Sequence, residues 1–359
     1  MGCPQSRSAG LCRGASQNTN ENVCGDFNCE AIPEDSTVHV LICALDYKRT
    51  STPLTCTMDG KNMQTLCASC RIDDVTVMLD EECTSEAVEE KLRDVASRCK
   101  EGDYFVFYYS GHGTNVEDLG GDEEDVFDEA FGFVDANGQI SRETIMTDDE
   151  FADILTECVP IGTKILILTD CCHSGTIVDL TKPEWGSHTA LSITGCTDKQ
   201  TSGDVGTGGI FTHSMALATE KIEEQGEDEY SAGLLYNTIL AYDNFVFQSA
   251  QDMTIQCTRN CTPDTFAWPL VPKFQYRSPM TDAVSKMSQV RSDRVMYAAS
   301  GTASEKPFSN IMHLGMANPV LLQQLGVDPN VAKIAAGGVT EDVNIKSVMQ
   351  TGAASRKCC

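Results

Sequence analysis

The amino-acid sequence predicts an α/β protein, a three-layer α/β/α sandwich in which helices cover both faces of a mainly parallel sheet. Two observations favour this class. Continuous apolar runs such as Val38–Leu45 and Lys164–Thr169 fit strands that are buried on both faces. Amphipathic segments with helical spacing lie between these runs. Strands that alternate with helices are typical of parallel sheets.

The predicted elements follow one another along most of the chain. The strands are Val38–Leu45, Val75–Leu79, Tyr104–Tyr109, Lys164–Thr169 and Ala190–Thr194, with a last strand expected near Leu270–Phe274. The helices are Thr84–Cys99, Thr147–Cys158, Gly209–Ile222 and Ser231–Phe247. Cys67 and Cys70 have the spacing of half a zinc site, but without a second such pair they favour a helix face.

Composition divides the chain into three parts. Residues 1–35 are polar and lack a period, which predicts a flexible N-terminal arm. Residues 36–277 carry the predicted elements and form the expected folded domain, with a larger part at 36–185 and a smaller part at 186–277. Residues 278–359 are rich in small and polar residues and are expected to form a flexible C-terminal tail.

Charge and cysteine usage limit the partners and the location. A formal net charge of −27 argues against binding to nucleic acid. The 18 cysteines are scattered through apparent strands and helices, which favours a reducing, cytoplasmic compartment over a disulfide framework. Gly2 fits the pattern for myristoylation and Cys3 for a second acyl chain, so attachment to a membrane through lipid is expected. The alternative is a chance match in the arm.

Two short motifs supply a histidine and a cysteine. His112 follows the apolar run Tyr104–Tyr109, and Cys172 follows the run Lys164–Thr169. If these runs are neighbouring parallel strands, both side chains emerge at the carboxyl edge of the sheet, where open α/β folds hold their sites. An imidazole beside a thiol produces the thiolate that attacks a peptide bond. The alternative is a buried structural thiol and an unrelated loop histidine.

The sequence blocks around these residues resemble those of a known family. They are Ser110-Gly111-His112-Gly113, Asp170-Cys171-Cys172-His173-Ser174-Gly175 and Gly195-Cys196-Thr197-Asp198-Lys199-Gln200-Thr201-Ser202. These blocks resemble those of metacaspases, the caspase-like cysteine proteases of plants, fungi and protists, and their order is similar to the type I group. The resemblance runs from about Val38 to Phe274 and implies a caspase–haemoglobinase-like fold and a monomer.

The resemblance also implies roles for individual residues. Cys172 would be the nucleophile and His112 the base, and the backbone N–H groups of Gly113 and Cys172 would form the oxyanion hole. Asp59, Ser110 and Asp170 would line an acidic pocket for the arginine or lysine that precedes the cleaved bond. Taken singly, Asp59 is also explained as an acid in the first turn of a helix and Asp170 as a turn cap.

Calcium is the expected cofactor. Eight of the thirteen residues from Glu117 to Glu129 are acidic, which indicates a solvated loop or a bound cation. The resemblance to calcium-dependent type I metacaspases implies the ligands Asp128, Asp148, Asp149 and Asp179, with Asp122 or Asp125 as substitutes for the first. Thr147 and Glu150 also form a capping box, which explains the neighbouring acids without a metal.

The predicted function is that of a calcium-activated cysteine endopeptidase that cleaves protein or peptide substrates after Arg or Lys and processes itself. Lys182 precedes a proline and is a poor cleavage site, so we expect the domain to act as one chain. A second hypothesis is an asparaginyl endopeptidase of the legumain kind, which would need a neutral pocket. A third is a catalytically silent, membrane-attached scaffold or calcium-binding protein that retains the fold.

Overall fold

The computed structural model describes residues 29–117, 127–172, 177–197, 203 and 206–285, apart from the side chains of Glu117, Phe127, Asp128 and Phe245. These residues include nine strands and five α-helices. The strands are β1 (Val38–Ala44), β2 (Asp74–Leu79), β3 (Tyr104–Ser110), β4 (Gly113–Glu117), β5 (Phe127–Gly132), β6 (Ile145–Thr147), β7 (Lys164–Asp170), β8 (Thr189–Thr194) and β9 (Thr254–Cys257). The helices are α1 (Cys56–Ser69), α2 (Ser85–Ala96), α3 (Asp148–Cys158), α4 (Ile210–Glu224) and α5 (Ala232–Tyr242).

The larger sheet is mainly parallel, as the sequence predicts. Its strand order is β2-β1-β3-β7-β8-β9. All neighbouring pairs up to β8 are parallel, and β9 pairs with β8 in the antiparallel direction. The carboxyl ends of five strands therefore meet at one edge, which we call the carboxyl edge.

Helices cover both faces of this sheet. Side chains alternate along a strand, so Val106 and Tyr108 of β3 pack on one face while Phe105 and Phe107 pack on the other. The first face is covered by α1, α4 and α5, and the second by α2 and α3. This arrangement confirms the predicted three-layer α/β/α fold.

Three of the predicted helix starts have side-chain caps. The hydroxyl of Thr84 accepts the N–H of Ala87 at 3.2 Å at the start of α2. At the start of α3, Thr147 and Glu150 each accept the other's backbone N–H, at 3.2 and 3.1 Å. This reciprocal pair confirms the predicted capping box. Ser231 caps α5 in the same way.

The strand expected near Leu270–Phe274 is wrong. Leu270 and Val271 are buried in the core, but the segment is irregular. Pro269 and Pro272 flank these two residues and lack the N–H groups that a sheet requires. The last strand of the sheet is β9, which precedes this segment.

A second, smaller sheet lies beside the main one in chain order. The strands β4, β5 and β6 form a small antiparallel sheet that the sequence did not predict. Cys67 lies in α1 and Cys70 is its C-cap residue, and both are buried, which confirms the helix-face interpretation.

The packed core reaches Met280, three residues past the predicted end of the domain. No helix in the described part of the chain is long and apolar enough to cross a membrane.

Candidate active site

The pairing of β3 with β7 brings the predicted histidine and cysteine to one place. Ser110 and Asp170 are partners in the parallel register of these strands. His112 and Cys172 each follow two residues later, so both lie at the carboxyl edge on adjacent loops. A Cβ atom added to Gly113 would lie 1.9 Å from the carbonyl oxygen of Cys172. The two loops are therefore in contact, and only glycine fits at this position.

The imidazole of His112 is buried and bonded to a backbone carbonyl. Its Nε2 atom lies 2.8 Å from the carbonyl oxygen of Thr52 and 3.2 Å from the Thr52 hydroxyl. Because a carbonyl oxygen can only accept, Nε2 carries the proton and the neutral ring has its lone pair on Nδ1. Burial lowers the pKa of His112 below its ordinary value, which favours the neutral form. The ring is thus prepared to accept a proton at Nδ1.

Exposure distinguishes the two neighbouring cysteines. Cys171 is 1% exposed and belongs to the core on the α2–α3 face, and its carbonyl oxygen lies 3.2 Å from the thiol of Cys196. Cys172 is partly exposed. A nucleophile has to reach a substrate, so Cys172 is better placed for attack. The proposed oxyanion donors, the N–H groups of Gly113 and Cys172, lie on the two loops in contact.

The three residues of the expected acidic pocket also lie together. The Ser110 hydroxyl donates to Asp59 at 2.9 Å, and the N–H of Gly209 donates to both carboxylate oxygens of Asp59, at 3.0 and 2.9 Å. The N–H and hydroxyl of Thr212 donate to Asp170 at 2.9 and 2.8 Å. Both carboxylates therefore face the N-terminus of α4, whose dipole favours negative charge.

A glycine-rich turn covers these carboxylates. Gly208 has a φ of +125°, and a Cβ atom on it would lie 2.1 Å from a carboxylate oxygen of Asp59. A Cβ atom on Gly209 would lie 2.0 Å from a carboxylate oxygen of Asp170. Asp59 is 0% exposed and Asp170 is 4% exposed. A cationic side chain therefore reaches them only if this turn moves.

The expected calcium ligands are only partly brought together. Asp148 and Asp149 begin α3, and both contact the ammonium group of Lys182, at 3.3 and 2.8 Å. The carboxylate of Asp179 accepts the N–H and the hydroxyl of Thr181 instead. The side chain of Asp128, and Asp122 and Asp125 altogether, lie outside the described residues. No group of three or more metal-binding side chains occurs in the part of the chain that the structure describes.

Only Asp148 and Asp149 of the expected ligands converge on one position in the part of the chain that the structure describes. Two carboxylates converge on a positively charged group, and the side chain of Lys182 is only 11% exposed. Carboxylate oxygens are the ligands that calcium prefers. In this structure the positive charge between the two carboxylates is the ammonium group of Lys182.

The sequence did not reveal several residues of the site. Thr52 contributes a backbone carbonyl, which has no sequence signature. Thr212 contacts Asp170 from the first turn of α4. The glycines of Gly206-Thr207-Gly208-Gly209, directly before a helix, were the available signal for the covering turn.

Comparison with known proteins identifies the domain. Residues 39–181 match the profile of the family described as "Metacaspase, peptidase C14 domain". This part of the chain is similar to a metacaspase peptidase domain. The matched range includes both His112 and Cys172, and with them Asp59, Ser110 and Asp170.

Curated relatives agree with this assignment. Metacaspase-2 of Arabidopsis thaliana is 34% identical over 166 residues, which cover 40% of this chain and 38% of that protein. Metacaspase-1 of the same plant is 28% identical over 232 residues, which cover 56% of this chain and 62% of that protein. The match thus spans less than two thirds of either relative.

A solved structure shares the fold of this domain. A crystal structure of a protein from Geobacter sulfurreducens matches with a TM-score of 0.51 and 21% identity, covering 66% of this chain and 99% of that one. At this level of identity the likeness concerns the fold alone.

Proposed function

We propose that this protein is a cysteine endopeptidase that cleaves after arginine or lysine. The observation that carries the proposal is the contact between the loops of His112 and Cys172, beside two buried carboxylates at the same edge of the sheet. The metacaspase match supports the same chemistry.

The reaction follows from the positions of these groups. The Cys172 sulfur attacks the scissile carbonyl carbon while its proton passes to Nδ1 of His112. The N–H groups of Gly113 and Cys172 stabilise the resulting oxyanion. His112 then protonates the leaving amine, and the C–N bond breaks to give a thioester. A water molecule, deprotonated by His112, hydrolyses the thioester and restores the thiol.

Specificity for a basic side chain is supported by the acidic pocket. Asp59 and Asp170 would pair with a guanidinium or ammonium group, while Ser110 orients Asp59. An aspartate in the substrate would be repelled, and an asparagine would leave both charges unpaired.

Calcium activation is the second part of the proposal. Asp148, Asp149 and Asp179, together with Asp128, would hold the ion through carboxylate oxygens. When bound, calcium supplies positive charge between α3 and the segment that follows Cys172. The contact of Asp148 and Asp149 with Lys182 supports the presence of a cation-stabilising position there.

Turnover assays test this function against its alternatives. Fluorogenic peptides that differ only in Arg, Lys, Asn or Asp before the cleaved bond are incubated with the full chain, with and without calcium, beside Cys172→Ala. We expect calcium-dependent cleavage of the Arg and Lys peptides that the variant lacks. Cleavage of the Asn peptide alone would favour the asparaginyl endopeptidase, and no cleavage at all would favour the silent scaffold.

Self-processing and lipid attachment complete the proposal. Lys182 is engaged by two carboxylates, which supports the expectation that the core is not cut there. Candidate cleavage sites are Arg7, Arg13, Lys48, Arg49, Arg277, Lys286, Arg291 and Arg294. Acylation of Gly2 and Cys3, which lie outside the described residues, would attach a cytoplasmic monomer to membranes. Intact-mass measurement of the chain expressed in eukaryotic cells tests both expectations.

A further inference from the structure

The backbone of His112 is held by two tyrosine hydroxyl groups. The N–H of His112 donates to the hydroxyl of Tyr47 at 2.8 Å, and the hydroxyl of Tyr109 donates to the carbonyl oxygen of His112 at 2.7 Å. The two hydroxyls lie 2.9 Å apart, and that of Tyr47 donates to the carbonyl of Gly132 at 2.5 Å. Both peptide groups that flank the imidazole are therefore fixed by buried donors and acceptors.

Tyr47 also contacts the imidazole itself. Its ring centroid lies 4.3 Å from that of His112, with an angle of 40° between the planes. Tyr47 is 2% exposed, so water does not compete for these contacts. One side chain thus touches the ring of His112 and accepts its backbone N–H.

The backbone of Tyr47 has an uncommon conformation. Its φ is +53°, in the left-handed region that residues other than glycine rarely adopt. The backbone N–H and the hydroxyl of Thr50 both bond to the Tyr47 carbonyl at 2.9 Å, which closes a tight turn. The N–H of Thr52 then bonds to the Thr50 hydroxyl at 3.2 Å.

This turn brings two contacts to the same histidine, one to its backbone N–H and one to its imidazole. Tyr47 at its start accepts the N–H of His112, and the carbonyl of Thr52 at its end accepts the proton on Nε2. Strained backbone that surrounding contacts hold in place is typical of functional sites. We propose that Tyr47 is a positioning residue that fixes the imidazole of His112 for proton transfer with Cys172. This inference rests on the proposed peptidase function.

The variant Tyr47→Phe tests the role of the hydroxyl, because it retains the ring. We expect kcat for an Arg peptide to fall about 10- to 100-fold, with KM within about twofold of the parent value. The reason is that misplacing a catalytic group slows the chemical step. The matched control is Tyr104→Phe. Its hydroxyl is buried at the other end of β3 and has no hydrogen-bond partner in the part of the chain that the structure describes. This control should leave kcat unchanged.

Alkylation of Cys172 gives a readout that does not require peptidase activity. Rates of iodoacetamide labelling at Cys172, measured by mass spectrometry across pH, report how well the imidazole stabilises the thiolate. In Tyr47→Phe the labelling profile should move to higher pH, while Tyr104→Phe keeps the parent profile. If the parent does not cleave peptides, the proposed function fails, yet this labelling comparison still decides the role of Tyr47.

A second variant protects the test against misfolding. Thermal melting establishes whether Tyr47→Phe folds, and if it does not, Tyr109→Phe interrogates the same network from the carbonyl side of His112. We expect the same fall in kcat and the same shift in labelling. Parent-like kcat and labelling in a folded variant, or equal losses in Tyr104→Phe, would overturn the proposal.

Discussion

Asp59 is fully buried, but its carboxylate is stabilised by the Ser110 hydroxyl and by the N–H of Gly209 at the start of α4. Asp59→Asn keeps the size and the acceptor but removes the charge. We expect kcat/KM for an Arg peptide to fall roughly 30-fold, since a hydrogen bond to a charged group is worth about 2 kcal/mol.

Two controls separate the pocket from general damage. Asp103→Asn removes a buried charge at the opposite edge of the sheet, where Asp103 accepts backbone N–H groups from Thr37 and Lys100. It should lower stability without changing the preference for Arg. Iodoacetamide labelling of Cys172 should be unaffected in Asp59→Asn. An unchanged kcat/KM in that variant would exclude Asp59 from substrate binding.

Gly113 is a second residue whose substitution the structure predicts to be costly, because there is no room for a side chain at this position. In Gly113→Ala the added methyl group would overlap the carbonyl of Cys172, so the two loops have to separate. We expect a loss of about 1–3 kcal/mol in unfolding free energy and a larger loss in kcat than melting explains. Both are measured by denaturant titration and by peptide hydrolysis.

Gly226→Ala is the matched control for this variant. Gly226 has a φ of +85°, so alanine is strained there, but no atom lies within 4 Å of the added Cβ. Its stability should fall by about 1 kcal/mol while kcat per folded molecule stays at the parent value. Equal activity of Gly113→Ala and the parent would mean that the contact between the loops is not needed for catalysis.

Sequence motifs predicted the positions of those candidate residues that would act through their side chains. Cys172, His112 and Asp59 lie in motifs, and the structure places them at one edge of the sheet. Thr52 and Gly209 contribute a carbonyl and an N–H group, which every residue except proline possesses. Such contributions depend on the course of the backbone and could not be predicted from residue type.

At the scale of elements, Lys182 links the first turn of α3 to the segment that follows Cys172. Its ammonium contacts Asp148 and Asp149, and a calcium ion held by these carboxylates would have to displace it. In Lys182→Gln this competition is removed. We expect calcium to bind about tenfold more tightly, as a loss of about 1.4 kcal/mol of competing interaction implies.

Calorimetry measures this difference directly. Calcium is titrated into Cys172→Ala protein, which cannot process itself, with and without Lys182→Gln. Lys182→Arg retains the positive charge and serves as the control, with an affinity near that of the parent. Equal affinities in all three proteins would exclude competition, and the absence of binding in the parent would reject the calcium proposal as well.

The opposite edge of the sheet contains an ion-pair network that connects β2 to the end of α2. Arg98 donates to both carboxylate oxygens of Asp74, at 2.9 and 2.8 Å, and holds the pKa of Asp74 below its ordinary value. The ionised pair therefore stabilises the fold above about pH 4, where Asp74 is ionised in the unfolded chain. This stabilisation is lost as the pH falls through the lower pKa of the folded protein.

Arg98→Met tests this dependence. We expect its unfolding free energy to be about 1 kcal/mol below that of the parent near neutral pH, as for a partly exposed pair, and the difference to shrink below pH 4. Lys91→Met removes a looser exposed contact, at 3.9 Å to Asp94, and should change little. Denaturant titrations at several pH values check this, and a gap that widens in acid would contradict the assignment.

Strands could be predicted from the sequence where nearly every residue of the strand is buried. The apolar runs of β1, β3 and β7 predict strand bounds to within one residue, because both faces of these strands are covered. The sheet of β4, β5 and β6 was missed because its strands are short and mix polar with apolar residues. The strand predicted around Leu270 was wrong for another reason. Burial alone does not distinguish a strand from an irregular segment between prolines.

At the scale of the whole molecule, the candidate catalytic groups and the stabilising ion pairs lie at opposite edges of the sheet. The His112 and Cys172 loops and the acidic pocket lie at the carboxyl edge, whereas the ion pairs of Asp74 lie at the opposite edge. The sequence predicted that His112 and Cys172 lie at the carboxyl edge, but it did not predict the ion pairs of Asp74. It could not predict that the turn at Gly208 covers the carboxylates, because that depends on how α4 approaches the end of β7.

The account depends on Cys172 and His112 acting together beside a pocket for a basic side chain. A peptide chloromethyl ketone that ends in arginine tests all three features, because alkylation requires binding, an activated thiol and alignment. The full chain, His112→Ala and Asp59→Asn are treated in calcium, and the modified residue is identified by mass spectrometry. We expect one adduct on Cys172 of the parent, formed at least about tenfold more slowly in either variant. An adduct on Cys171, or equal rates in all three proteins, would contradict the assignment of this site.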